Sequence, residues 1–166
     1  MLKLGTGLEK EQRVGIKLIA DNRKARYNYE ILDTLEVGLV LMGSEVKALR
    51  EGKANMGDGF ARFNATGGQL CSVHISPYSN GGYSNHEPLR PRNLLIHKLE
   101  IKRWLGKIRE RGLTVVPLKL YFNDKGFVKC ELGLARGKKV HDKRETLKRK
   151  TAEREAQAVV KNRGRE

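Results

Sequence analysis

Apolar positions along most of this chain alternate with polar ones, and glycine and proline divide them into short runs. Residues 27–41, rich in Tyr, Ile, Leu and Val, predict a long strand, and Gly38 in Glu36-Val37-Gly38 permits a bulge or sharp bend within it. Ser44 ahead of Glu45-Val46-Lys47-Ala48-Leu49-Arg50, with Gly52 just beyond, predicts a short N-capped helix. Residues 60–63 and 69–75 predict two strands of a hairpin turned at Asn64-Ala65-Thr66-Gly67-Gly68. Pro77, Gly81, Gly82, Pro88 and Pro91 predict a loop over residues 76–92. The period then changes. Ile101, Leu105 and Ile108 fall at helical spacing, with Trp104 beside the stripe and Gly112 after it. Residues 98–111 therefore predict an amphipathic helix with Lys102, Arg103, Lys107, Arg109 and Arg111 on its other face. Residues 114–122 and 127–135 predict a second hairpin across Asn123-Asp124-Lys125-Gly126.

Five or six short antiparallel strands with helices set between them predict a mainly β fold. An OB-like closed antiparallel barrel with flanking helices fits better than a parallel sheet, and such barrels often bind nucleic acid. The first 21 residues show no clean period and read as an N-terminal arm, leaving 22–135 for the barrel and 136–166 for a basic C-terminal tail.

Charge sharpens that division. Of the 166 residues, 34 are Lys or Arg and 19 are Asp or Glu, a net charge of +15 that favours a polyanionic partner. Residues 136–166 alone carry 12 basic and 5 acidic side chains and no Phe, Tyr or Trp, so the tail is expected to be disordered when free and to become helical on a partner. Within it, residues 145–160 suit a helix with a weak stripe of Leu147, Ala152, Ala156, Val159 and Val160. No run approaches the ~20 apolar residues of a spanning helix, and the mixed charges of residues 1–21 do not resemble a secretory signal. Cys71 and Cys130 are too few for a disulfide framework or zinc site and read as buried thiols in a reducing cytoplasm.

No catalytic constellation emerges. His74, His86, His97 and His141 lack the spacing of a metal-binding helix, and Gly81-Gly82 lacks the strand–helix frame of a phosphate loop. No enzyme activity, metal, cofactor or small-molecule substrate is expected. Binding chemistry is better represented. Asn22-Arg23-Lys24-Ala25-Arg26-Tyr27-Asn28-Tyr29 packs three cations and two aromatics into eight positions, suiting phosphate contact and base stacking, or else a solvated strand entry with inward tyrosines. Glu36 by residue type alone is an exposed strand acid, although on an RNA-binding face it would serve bases or 2′-hydroxyls. His97, beside Leu94-Leu95-Ile96, reads by default as half-buried. Lys47, Arg50, Lys53 and Arg62 suit either a phosphate-tracking patch or plain solubility. The run Arg136-Gly137-Lys138-Lys139-Val140-His141-Asp142-Lys143-Arg144 can leave the barrel, with His141 as a planar ring able to stack.

Several motifs in one order resemble the small protein B family, the SsrA-binding proteins that accompany transfer-messenger RNA in bacterial ribosome rescue. They are Asn22-Arg23-Lys24-Ala25-Arg26, Glu36-Val37-Gly38, Gly43-Ser44-Glu45-Val46-Lys47-Ala48-Leu49-Arg50, His74-Ile75-Ser76-Pro77-Tyr78, His86-Glu87-Pro88-Leu89-Arg90, Val116-Pro117-Leu118-Lys119-Leu120-Tyr121 and residues 135–144. Tyr27 stands where the family often has His, Glu87 where it often has Asp, and His97 where some relatives have Asn. The resemblance implies an OB-like barrel that grips the D-loop and elbow of the RNA's tRNA-like domain. Glu36, Leu95 and His97 match the family's RNA contact positions, with Arg23, Lys24, Arg26, Lys47 and Arg50 supporting them through phosphates and Tyr27 kept as an RNA-binding candidate by stacking. It further implies that the tail enters the empty mRNA channel of a stalled ribosome and meets small-subunit rRNA near the decoding centre. Gly137, Lys138, Lys139, His141, Asp142, Lys143 and Arg144 are the segment concerned. No membrane partner is implied. A basic ribosomal or RNA-chaperone protein and an RNA-modifying enzyme are the rival classes, the second lacking a positioned acid–base or metal pair.

Overall fold

The two longest apolar runs form the longest paired strands in the computed structural model, which describes residues 15–163. In chain order the elements are β1 (Lys17–Asp21), α1 (Arg23–Asn28), β2 (Tyr29–Leu39), α2 (Gly43–Arg50), β3 (Ala54–Asn55), β4 (Phe60–Phe63) and β5 (Gly68–Cys71). β6 (His74–Ile75), β7 (Arg92–Leu95), α3 (Lys98–Arg111), β8 (Thr114–Phe122), β9 (Val128–Gly137) and α4 (Val140–Arg163) follow. β8 pairs with β4, β4 with β5, β5 with β7, β7 with β2, β2 with β9 and β9 again with β8, every pairing antiparallel. Six strands thus close a ring, the OB-like arrangement expected, and closure leaves few bare sheet edges.

Inside the ring, Leu35, Val37, Leu70, Val115, Leu120, Cys130, Leu132 and Leu134 are buried together. Ala48 and Leu49 of α2 and Trp104 of α3 join the same core, Trp104 lying 6.1 Å from Phe63 at a 47° tilt. A smaller cluster of Ala25, Val116, Leu118 and Ala135 lies apart from it under α1. One register shift in β8 between Pro117 and Lys119 and one in β2 between Ile31 and Asp33 let these strands serve both clusters.

Several expectations need correction. β2 begins at Tyr29 because residues 23–28 coil into α1, and Tyr27 is therefore on a helix. Asn22 explains the helix. Its side-chain oxygen accepts from the Ala25 N–H at 3.0 Å, and its amide donates to the carbonyls of Met56 at 3.0 Å and Pro117 at 2.8 Å. The irregularity in β2 is at Ile31/Asp33, and pairing with β9 continues through Gly38. Ser44 lies inside α2 rather than capping it; the cap comes from Glu45, whose carboxylate accepts from the Met42 N–H at 2.8 Å.

Residues 69–75 make two strands, broken where Ser72 takes a positive φ of 55°. The expected loop over 76–92 ends in β7, a strand that the proline-rich stretch hides. Residues 17–21, assigned to the arm, form β1 on the edge of β8; the arm's residues 1–14 lie outside the described part. β9 runs two residues into the expected tail, and residues 140–163 of the tail form α4. Cys71 and Cys130 are both buried and free, and burial, with the nearby Glu131 charge, pushes the Cys130 thiol up.

Candidate nucleic-acid interface

The register between β2 and β7 pairs Gly38 with Leu95 and Leu39 with Leu94. Glu36, two residues before Gly38 on β2, and His97, two residues after Leu95 where β7 has ended, are both exposed, so residues 59 or more apart in sequence come to one outer face around the Gly38–Leu95 pair. A side chain at Gly38 would have its Cβ 3.2 Å from the Leu95 Cβ, tighter than ordinary packing, so the missing side chain is what lets Leu95 lie across β2. Leu95 is 61% exposed despite being apolar, and Phe127, which shares a groove with it, is exposed too. A shallow groove runs between them, lined by Gly38, Leu41, Val46, Leu95, Phe127 and Lys129. Exposed apolar side chains on a strand face, with polar groups at the rim, suit a partner that presents flat bases.

Glu36 is exposed, and Tyr121 of β8 donates its hydroxyl to the carboxylate across β9. Burial first, then the hydrogen bond and the charge of Glu36, push the Tyr121 pKa up, so the hydroxyl keeps its proton and remains a donor. Glu131, opposite Glu36 on β9, pairs instead with Lys119 at 3.8 Å. Among the described residues Glu36 has no cationic partner. An oriented carboxylate of this kind repels phosphate and accepts from base N–H groups or a sugar hydroxyl. His97, expected to be half-buried, is exposed, because it is the residue at which the chain leaves β7 and enters α3.

The cations divide into compensated and uncompensated sets. On α1, Arg26 donates to Asp21 at 2.6 Å, Lys24 to Asp58 at 2.7 Å, and Arg23 lies 4.0 Å from Asp21. Such exposed pairs are worth roughly 0–1 kcal/mol, so a phosphate can compete for each cation. Tyr27 is half-buried beside them. On α2, Lys47 and Arg50 are exposed, and the Lys47 ammonium lies 5.4 Å from the centre of the Tyr78 ring. α1 and α2 therefore present basic groups from separate elements rather than one continuous strip.

Beneath this face is a buried polar frame. Arg92 and Glu45 are both 0% exposed and bonded at 2.8 Å, while Arg90 reaches the other Glu45 oxygen at 2.6 Å. Arg92 also donates to the carbonyls of Val73 at 2.6 Å and Pro88 at 3.0 Å. Burial raises the Glu45 pKa, but hydrogen bonds from Arg90, the Met42 N–H and Arg92 outweigh it, and the carboxyl is held below the ordinary range. His86 completes the frame, bonded to the Ile75 carbonyl and the Ser44 hydroxyl, each at 2.9 Å. Many of the motif residues that carry the resemblance are thus structural: they lock α2, β6 and β7 together.

The tail residues cluster where β9 meets α4. Gly137 closes β9 opposite Tyr29. The Lys138 ammonium donates to the Arg26 carbonyl at 3.2 Å and to the Thr146 hydroxyl at 3.1 Å, tying α4 to α1. His141, Asp142, Lys143 and Arg144 occupy the first turns of α4, with His141 3.7 Å from Glu145 and exposed, and Lys139 just before them. Asp142 there is favourable to the helix dipole. Sequence reasoning passed over Tyr121 and Phe127 as site residues. Only strand register brings them to Glu36 and Leu95, so composition held no signal for them.

Among the described residues no helix is long and apolar enough to cross a membrane, and no group of three His, Cys, Asp or Glu side chains is gathered for a metal. Comparison with known proteins gives a consistent result. The family described as SmpB protein matches residues 19–162. The SsrA-binding protein of Trichodesmium erythraeum (strain IMS101) is 49% identical, over 93% of this chain and 99% of its own. That of Enterococcus faecalis (strain ATCC 700802 / V583) is 52% identical, over 88% and 94%. A solved structure described as "tmRNA-SmpB: a journey to the center of the bacterial ribosome" aligns with a TM-score of 0.63 and 52% identity, over 73% of this chain and 85% of that one.

Proposed function

The chain belongs to the SmpB family, and on that premise we propose that it binds the tRNA-like domain of transfer-messenger RNA and brings it to stalled ribosomes. The observation that carries the reading is the shared outer face of Glu36, Leu95 and His97, built by the β2–β7 register around Gly38. Leu95 offers an apolar platform. Glu36, oriented by Tyr121, and His97 offer hydrogen bonds that distinguish bases and sugars from phosphate. Arg23, Lys24, Arg26, Lys47 and Arg50 flank the ring on α1 and α2 and supply the phosphate contacts that set affinity and salt dependence, while Tyr27 among them offers a ring for stacking.

The ring and the tail divide the work. α4 is a 24-residue helix, about 36 Å long, and its side chains through Lys161 are almost all exposed. It has no apolar face to bury in the ring, so its basic surface is available to the small-subunit rRNA around the decoding centre and the vacant mRNA channel. An occupied channel has no space for it, which confines the factor to stalled ribosomes. Gly137, Lys138, Lys139, His141, Asp142, Lys143 and Arg144 form the segment that makes this contact. The reading is of a binding factor that acts in the cytoplasm without a cofactor or a chemical step of its own. The direct test is to capture the RNA bound to the protein in cells and sequence it. One dominant RNA of transfer-messenger type supports the reading; a broad set of RNAs returns the protein to the class of general RNA chaperones.

A further inference from the structure

The basic face of α3 has no part in the contacts described above. Lys98, Lys102, Arg103, Arg109 and Arg111 are all exposed, and among the described residues none of them makes an ion pair. Lys107 alone on this helix is paired, donating to Asp33 at 2.8 Å. The contrast with α1 is direct, since each α1 cation has an acid beside it.

A second observation is independent of charge. Gly106 sits in the middle of the 14-residue helix, where glycine is destabilising relative to alanine. Packing does not require it: a Cβ built at Gly106 meets nothing within 4 Å. Lys102 is four residues before it, Arg103 three before and Arg109 three after, so all three are its neighbours on the helix surface. Glu110, four residues after, is the acid on that side, and Leu99, 83% exposed, lies along the same stripe. The helix thus presents a notch without a side chain, bordered by three cations.

We propose that this notch on α3 receives the phosphodiester backbone of transfer-messenger RNA, extending the RNA face beyond Glu36, Leu95 and His97. Missing side chains in a helix allow a partner's backbone to approach closely, and the three cations make an anionic backbone the complementary one. Continuity selects this RNA over another. His97 is the cap residue from which α3 starts, so Gly106 lies about 14 Å along the helix from the base-reading face.

The inference rests on the RNA-binding reading above, and the experiment separates the two. Full-length Gly106→Gln, the triple variant Lys102→Gln/Arg103→Gln/Arg109→Gln and Glu36→Ala are titrated with the isolated tRNA-like domain over a range of salt concentrations, alongside thermal melts and ribosome co-sedimentation. Gly106→Gln should raise Tm yet weaken RNA binding at least fivefold, because the new side chain fills the notch. The triple variant should lower the log–log salt slope by about 2. A stabilised Gly106→Gln protein with unchanged affinity overturns the proposal, as does an unchanged slope in the triple variant. Loss of ribosome association alone, with RNA affinity intact, overturns it too, by assigning the face to ribosomal RNA. Glu36→Ala distinguishes the failures: if it weakens binding while the α3 variants do not, the notch is wrong and the RNA reading stands. If none of the three alters binding, the RNA reading itself falls.

Discussion

The ring and the tail carry nearly equal shares of the protein's excess charge and place it in opposite ways. The ring's side chains are held in position: Tyr121 orients Glu36, Gly38 makes room for Leu95, and the Glu45–Arg92 pair fixes the strands beneath. On α4 almost nothing fixes a side chain beyond neighbours one turn away, such as His141 with Glu145 and Arg149 with Glu153. Placed groups can read one structured RNA. Unplaced cations on a bare helix suit a channel whose walls supply the order. Net charge alone would not have separated these roles.

The difference should be largest in stability. Arg92→Met removes one of the two guanidinium partners of the buried Glu45, leaving it Arg90 and the Met42 N–H, and takes the donors from the Val73 and Pro88 carbonyls, costing roughly 3–5 kcal/mol in urea or thermal unfolding. Arg149→Met on α4 should change stability by no more than about 0.5 kcal/mol. The same contrast has a pH signature. The folded-state pKa of Glu45 is lowered, so its contribution to stability is complete above the unfolded value of about 4.3 and is lost as the pH falls through the lower folded one. Asp33, held down chiefly by its hydrogen bond from Lys107, adds to the loss in the same direction. Unfolding measured from pH 6 downward should show stability declining below about pH 4.3, and Glu45→Gln should flatten part of that decline.

RNA affinity comes next in size. Glu36→Ala or His97→Ala should weaken binding to the tRNA-like domain by about tenfold to a hundredfold with the salt slope nearly intact, as groups that contact bases or sugars do. Arg26→Gln or Lys47→Gln should instead lower the slope by up to about 0.9 each. A slope unchanged at either position removes that residue from the phosphate contacts. The smallest effect belongs to Tyr121→Phe, which leaves Glu36 in place but unoriented. A loss of about threefold to tenfold in affinity, at an unchanged slope, corresponds to a single hydrogen bond. No loss at all would show that Glu36 needs no orientation.

How far the sequence alone reached follows from where the information lay. β4, β8, β9 and α3 have clear periods and turn residues, and the structure has them within a residue or two, whereas the strand expected over 69–75 stops at Cys71 because Ser72 turns the chain. α1 was hidden because it is six residues long and its cap, Asn22, is secured by carbonyls at Met56 and Pro117. β7 was hidden because it opens with Arg92, a residue that composition places outside but a buried carboxylate draws in. Without β7 there is no β2–β7 register, and without that register nothing in the residues brings Leu95, and His97 just after it, to the face that carries Glu36. That grouping came from the family resemblance. The notch at Gly106 was also illegible, because only the structure shows that no packing neighbour demands a glycine there.

The central claim is that the ring grips the RNA and the tail reads the ribosome, and one measurement bears on it most directly. A chain ending at Gly137 keeps every β2–β9 pair, including Tyr29 with Gly137, and loses α4 whole. Its affinity for transfer-messenger RNA, by filter binding, should stay within about tenfold of the full chain, or ~1.4 kcal/mol, although most of the tail's excess positive charge is gone. In a reconstituted translation system stalled without mRNA in the channel, the same chain should add no peptide tag, and Asp142→Ala with Lys143→Ala and Arg144→Ala should fail likewise. Efficient tagging by the chain that ends at Gly137 would contradict the account, whatever its RNA affinity.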